Sequence, residues 1–406
     1  MKVTGLITEY NPFHNGHAYH IEMARKITGA DYIIVVMSGD FVQRGTPAMI
    51  QKYARTKMAL LGGADLVLEL PVQYATATAE TFAYGGVKIL NELGIVDHIC
   101  FGSESGNASI LMEIADILVN EPAWYSSSLK EHLKNGMSFP AARAAALPKY
   151  QDILSEPNNI LGIEYCKALL RSNSNITPIT IKRQGAGYHD TQLDSFASAS
   201  GIRNCIKQQQ LIQQHNDTNI SELQRLIPEN AFSVLNKELE ENGFVSEDDF
   251  SQLLFYKLLQ LHAPEELFHY LDMSEELANR IFKRRYDFQT FSQFADLLKT
   301  KEITRTRINR ALLHFLLDIH KADTNNEVYG RILGFKKSTS TLLSQIKANA
   351  ALPLISKSAQ AENLLTENQK NIFARNVEAS NIYEMLLSQK NNRPFIHEYQ
   401  KQMILL

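Results

Sequence analysis

The chain has 406 residues, 44% of them hydrophobic and 21% charged, with a formal net charge of −3. That size accommodates two or three domains around sizeable cores, and the composition is ordinary for a soluble protein. The three cysteines, Cys100, Cys166 and Cys205, stand far apart, so neither a zinc cluster nor a disulfide framework is suggested, and a reducing cytoplasm fits.

Near-neutral net charge does not exclude a nucleic-acid partner, because a basic face on one domain can be offset by acidic residues on another. The N-terminus opens directly on a strand-like segment, and no stretch approaches the roughly 18 apolar residues of a membrane span. A soluble, cytoplasmic protein without a membrane partner is expected.

Four short apolar runs, VTGLIT (3–8), DYIIVVMSG (31–39), ADLVLELP (64–71) and VDHICFGS (96–103), alternate with segments of helical periodicity. This βαβ pattern implies a buried parallel sheet. The intervening helices are expected to stop at Gly29, Gly62 and Gly94, where a left-handed cap is tolerated. After a helical stretch from about 110 to 150, PNNILGIEYCKALLRSNS supplies another helix and ITPITIKR (176–183) a fifth strand. The expected fold is therefore α/β, a Rossmann-like doubly wound parallel sheet spanning residues 1–215.

From about 219 to 325 no strand is evident, and SEDDFSQLLFYKLLQL and SEELANRIFKRRY begin with Ser and acidic residues, as N-capped helices do. A mainly helical domain over 216–325 follows. Residues 326–406, with YGRILGFKKS and ALPLISKS, mix short β-like runs with helix and form a C-terminal mixed region.

The chemistry gathers at EYNPFHNGHAYH (9–20), directly after the first strand. A helical zinc pair requires histidines at i, i+4, whereas His14 and His17 are at i, i+3 around Asn15 and Gly16, so no protein-held metal is expected. Histidines that merely satisfy hydrogen bonds at a strand-to-helix turn remain an alternative. At the carboxyl end of such a strand, however, the next helix turns its unpaired N–H groups and positive dipole end into a crevice suited to phosphate. Gly16 lets phosphates approach the backbone, and imidazoles can donate to oxygens whose charge grows as pyrophosphate departs.

NPFHNGH resembles the HxGH motif of the adenylyl-transferring superfamily, and FASASGIR (196–203) is similar to its second, phosphate-holding signature, with Ser200 where threonine is common. Longer blocks, VMSGDFVQRGTPAMIQKYARTKMALLGGADLVLELP, FGSESG, PNNILGIEY and KTKEITRTRINR, resemble the bacterial tRNA(Met) cytidine acetate ligases. The resemblance implies activation of acetate by ATP as acetyl-adenylate, release of pyrophosphate, and acetylation of N4 of the wobble cytidine of elongator tRNA(Met), without acetyl-CoA. Magnesium is the chemical expectation beside a triphosphate.

By matching motif positions, the resemblance assigns ATP binding to Ile7, Thr8, Glu9, Tyr10, Asn11, Pro12, Phe13, His14, Asn15, Gly16, His17, Ala18, Tyr19 and His20. Gly102, Asn158, Arg183 and Gln184 join them, and His14 and His17 are the catalytic pair. Read without the family, Gly102 is equally a turn residue, Asn158 a helix cap and Arg183 a surface charge. Arg44, Lys52, Arg55 and Lys57 form either a cationic loop toward triphosphate or anticodon, or a solvated helix face. Tyr188, His189 and Asp190 lie near Arg183, with His189 able to accept the proton lost by the cytidine amine or simply to pair with Asp190.

Between Arg280 and Arg310, nine basic residues face three acidic ones. Lys283, Arg284, Arg285, Arg305, Arg307 and Arg310 are the expected RNA contacts, because such a surface neutralises phosphates by counterion release. Two other functions stay open at this point: a nucleotidyltransferase adenylylating or cytidylylating a phosphorylated small molecule, and an ATP-dependent RNA-binding module without turnover.

Overall fold

The computed structural model describes residues 1–183, 199–211, 223–324 and 327–406. The five strands expected from the apolar runs are β1 (Val3–Thr8), β2 (Tyr32–Ser38), β5 (Leu66–Leu70), β6 (His98–Ser103) and β7 (Thr177–Lys182). They pair in parallel in the order β5-β2-β1-β6-β7. Between β2 and β5 lies a short hairpin, β3 (Phe41–Val42) with β4 (Thr46–Pro47), whose strands are too short for a periodic signal.

β2 illustrates why the sheet is doubly wound. Ile33, Val35 and Met37 enter one apolar cluster with the helices Asn15–Thr28 and Lys52–Leu61. Ile34 and Val36 enter another with the helices Ala79–Glu92, Ala108–Asn120 and Pro157–Arg171. Alternating side chains thus bury both faces, which is what a continuous apolar run in a parallel strand records.

The sheet is nevertheless mixed rather than wholly parallel. β8 (Gly330–Phe335) pairs antiparallel with β5, and β9 (Leu354–Ile355) and β10 (Ile404–Leu405) pair in parallel with β8. The C-terminal stretch therefore returns to the sheet edge. Arg331 obscures this strand in the sequence, but its charge is met by Glu69 and Glu398 at 3.0 and 2.7 Å.

The glycine stops need one correction. Gly29 and Gly94 are left-handed, at φ 64 and 71, but Gly62 sits at φ −80 and the positive φ falls on Gly63. Between 223 and 324 the described residues form helices and no named strand. Ser274 caps the helix Glu275–Arg284 through the Leu277 N–H, and Ser246 caps a 3-10 turn rather than the α-helix itself.

Two elements tie this helical region to the sheet domain. Phe41 of the hairpin and Tyr383 of the long helix Glu367–Lys390 join the helical core. At Gly45, φ 72, a Cβ would stand 2.3 Å from the backbone nitrogen of Arg310, so only glycine lets the hairpin tip rest on the helix Arg305–Leu317.

Candidate active site at the end of the first strand

β1 occupies the middle of the sheet, with β2 on one side and β6 on the other. The chain reverses its direction of winding between β1 and β6, and such a switch point opens a crevice at the carboxyl ends of the strands. The turn leaving β1 contains Tyr10 at φ 47 and a cis Asn11–Pro12 bond. Met49 N–H donates to Asn11 Oδ1 at 2.8 Å, anchoring the turn to the next loop.

His14 is the N-cap of the helix Asn15–Thr28, with extended backbone at φ −147. Gly16 N–H donates to His14 Nδ1 at 3.1 Å, and His14 N–H donates to His17 Nδ1 at 3.3 Å. Two orphan helix donors are thereby satisfied reciprocally, with imidazoles in place of the usual hydroxyl and carboxylate. Since each Nδ1 accepts, each neutral ring carries its proton on Nε2 and presents an N–H edge. The rings stack with centroids 3.7 Å apart.

Burial holds these rings neutral. It lowers His14 to about 4, assisted by the Arg183 and Arg203 charges, and pulls His17 well below its ordinary value. His20, one turn further on, is lowered by burial and Arg183 to about 4, and its buried Nε2 has no hydrogen-bond partner among the described residues. Tyr10 and Phe13 back His17 at ring distances of 4.8 and 5.7 Å. Both are fully buried, so within the 7–20 stretch they shape the site from behind. Ile7 packs against Gly86, and Asn15 Nδ2 donates to Arg225 O at 2.7 Å. Pro12 lies buried in the turn, Ala18 packs on the core below the helix, and Tyr19 is exposed. Thr8 and Glu9 close β1 and lead into the turn.

Gly102 and Arg183 come from neighbouring strands. Gly102 lies within β6 rather than beyond it, and Arg183 follows β7 with its N–H donating to Ser103 O at 2.8 Å. The Arg183 side chain runs across Gly102, where a Cβ would meet its Cγ at 3.2 Å. Asn158 opens the helix Pro157–Arg171, and its Nδ2 donates to Glu104 Oε1 at 2.5 Å while Asn159 N–H donates to Oε2 at 2.8 Å. Glu104 is thus the anion held at that helix start. Gln184, Tyr188, His189, Asp190 and Phe196–Ser198 lie outside the described residues.

Arg203 was not singled out from the sequence, although FASASGIR ends on it. From the helix Ala199–Leu211 it donates to Asn11 O at 2.7 Å and to Ser200 Oγ at 3.0 Å, joining the second motif to the histidine turn. The cationic loop divides differently from either expectation. Arg55 is fully buried and donates to the carbonyls of Ile50, Glu9, Ser38 and Gly39. Lys52 is buried between Glu69 and Glu398, both at 2.7 Å. Only Arg44 and Lys57 of the four are exposed.

On the helical region, Lys283 is exposed and Arg284 pairs with Asp287. Arg285 stacks against Phe282 and the exposed Tyr286. Arg305 meets Asp296 beside an open cleft of about 750 Å³ that Lys299 and Lys301 also line, and Arg307 lies on the first turn of the same helix. Arg310 departs from expectation: Asp272 holds it bidentately at 2.8 and 3.2 Å, leaving its charge compensated and largely buried. Among the described residues no group of three or more His, Cys, Asp or Glu could hold a metal ion, and no helix is long and apolar enough to cross a membrane.

A neutral histidine pair thus heads a helix at the sheet's switch point, with two arginines beside it. Residues 1–397 match the HIGH Nucleotidyl Transferase family, and the chain belongs to it. More narrowly, it belongs to the tRNA(Met) cytidine acetate ligases. It is 43% identical to the enzyme of that name from Thermoanaerobacter sp. (strain X514), over 98% of this chain and 99% of that one. Identity to the Acetivibrio thermocellus protein of the same name is 42%, covering both chains completely. The crystal structure of Thermotoga maritima TmcAL bound with alpha-thio ATP is similar over 100% of both chains, at 34% identity and a TM-score of 0.90.

Proposed function

We propose that this protein activates acetate with ATP and acetylates N4 of the wobble cytidine of elongator tRNA(Met), in the cytoplasm and without acetyl-CoA. The observation that carries the mechanism is the reciprocal cap: both Nδ1 atoms accept backbone N–H groups, so each ring keeps an uncharged Nε2–H as its donor for phosphate. As an acetate oxygen attacks the α-phosphorus, negative charge grows on the departing pyrophosphate. Fixed donors aimed at growing charge lower the barrier without forming a covalent intermediate.

Arg183 and Arg203 supply permanent charge for the phosphates, because a guanidinium stays ionised and its planar fork suits phosphate oxygens. Magnesium accompanies the triphosphate. Gly102, Asn158 and Gln184 belong to the nucleotide's surroundings. Lys283, Arg284, Arg285, Arg305 and Arg307 on the helical domain contact the tRNA backbone. An exocyclic cytosine amine has its lone pair delocalised into the ring and does not react with free acetate, so the adenylate leaving group is what makes transfer feasible.

The test is incubation of the protein with ATP, magnesium, labelled acetate and elongator tRNA(Met), omitting acetyl-CoA. N4-acetylcytidine in the nuclease digest, and exchange of pyrophosphate into ATP that requires acetate, are the expected results. Absence of both with folded protein would sink the proposal. A small-molecule product that retains the nucleotide would instead indicate a nucleotidyltransferase.

A further inference from the structure

Transfer of acetyl to an amine liberates a proton, and the histidines are poorly placed to take it. Both Nδ1 lone pairs are occupied by backbone N–H groups, and both Nε2 atoms already carry hydrogen. The carboxylates around the strand ends are almost all committed. Asp40 accepts from Lys52 N–H at 2.9 Å with Lys52 Nζ 3.7 Å away, and Glu69 divides its oxygens between Lys52 and Arg331. Glu104 spends both on the helix that starts with Pro157 and Asn158.

Glu9 differs. Gln43 N–H donates to its Oε1 at 3.0 Å, and among the described residues its Oε2 has no partner. Arg55 fixes the Glu9 carbonyl at 2.7 Å, so the residue is held at both backbone and side chain. Gln43 belongs to the same hairpin whose Gly45 rests on the helix Arg305–Leu317. The carboxylate therefore stands where the histidine turn meets the hairpin that rests on the helical region. The charged and titratable groups that sense it are Arg203, Arg55 and Tyr165, with Arg44 beside Arg203.

We propose that Glu9 is the proton acceptor of the transfer step, with Oε1 pinned by Gln43 and Oε2 presented to the cytidine amine. The inference rests on the acetate-ligase reading. The N4 lone pair forms the new bond to the acetyl carbonyl carbon, and the bond from that carbon to the α-phosphate oxygen breaks. AMP leaves with that electron pair, and the amine proton passes to Glu9 Oε2. The reaction balances without another reactant.

Glu9→Gln preserves the shape and the acceptor for Gln43 N–H but removes the basic oxygen, and Glu9→Asp keeps a carboxylate. Each variant is compared with wild type in two assays: single-turnover acetyl transfer to tRNA from preformed acetyl-adenylate, and acetate-dependent pyrophosphate exchange. In Glu9→Gln, transfer should fall about 10² to 10⁴-fold further than exchange, and Glu9→Asp should recover part of the difference. Equal losses in both assays, or transfer within threefold of wild type, would overturn the assignment of Glu9 while leaving the acetate-ligase reading intact. A folded wild type inactive in both assays would overturn the two together.

Discussion

His14 caps a helix, and the proposed function gives it a second, separable task; one substitution divides the two. Its Nδ1 caps the helix through Gly16 N–H at 3.1 Å, and its Nε2–H is the donor assigned to pyrophosphate. In His14→Asn the amide oxygen can take over the cap, since asparagine is among the best N-cap residues, but nothing reaches the Nε2 position. The folded state should keep its stability to within about 1 kcal/mol, whereas loss of one preorganised donor costs roughly 2.7 to 4 kcal/mol of barrier, or about 10² to 10³-fold in rate. His14→Ala loses both functions and should be destabilised by about 0.5 to 2 kcal/mol more. Acetate-dependent pyrophosphate exchange reads the first quantity and urea unfolding the second. Exchange by His14→Asn within threefold of wild type, or a stability loss equal to that of the alanine variant, would refute this division of labour.

Three further outcomes follow from the same geometry. Burial, with Arg183 and Arg203, lowers His14 to about 4 from its ordinary 6.5, so between these values the unfolded chain binds more protons. Its contribution to stability is complete above about pH 6.5 and declines toward pH 4; urea midpoints should fall on acidification over that range, and less so in His14→Asn. Arg331→Met removes one cation from a buried group in which Arg331 and Lys52 face Glu69 and Glu398, all no more than 4% exposed by side chain. A loss of about 3 to 5 kcal/mol on urea unfolding is expected. For tRNA binding, Lys283→Ala should reduce the dependence of affinity on salt by about one phosphate contact. Arg310→Ala, which breaks the pair with Asp272, should instead lower the unfolding midpoint and leave that slope unchanged.

The parts of the fold legible in the sequence were those with a period. β2 is apolar at every position from Ile33 to Met37 because both faces of the sheet are covered, and that run can be read directly. β8 contains the same kind of apolar residues interrupted by Arg331, and only Glu69 and Glu398, 262 and 67 residues away, make the charge compatible with burial. Neither partner is adjacent in sequence, so no local pattern marks the pairing. The site shows the same contrast. The spacing of His14 and Gly16 after a strand marks a strand-to-helix turn that can be read locally, but Arg203 and Glu104 are held by contacts formed by chain crossings. Arg310 looked like its neighbours Arg305 and Arg307 in sequence, and it is the fold that supplies Asp272 opposite it.

The buried cations also explain how the histidine turn, with little regular structure, is kept in place. Arg55 donates to the carbonyls of Glu9, Ser38 and Gly39, at the carboxyl ends of the two central strands, and to Ile50 at the foot of its own helix. A guanidinium offers five donors in one rigid plane, so a single side chain fixes the exits of β1 and β2 relative to each other. Lysine could reach one or two of these oxygens but could not span them. The cost of burying the charge is visible in the guanidinium's pKa, which desolvation pulls below its ordinary value. That cost is borne where the carbonyls of a turn would otherwise be unpaired in the interior, and where the position of Glu9 and His14 depends on the backbone being held.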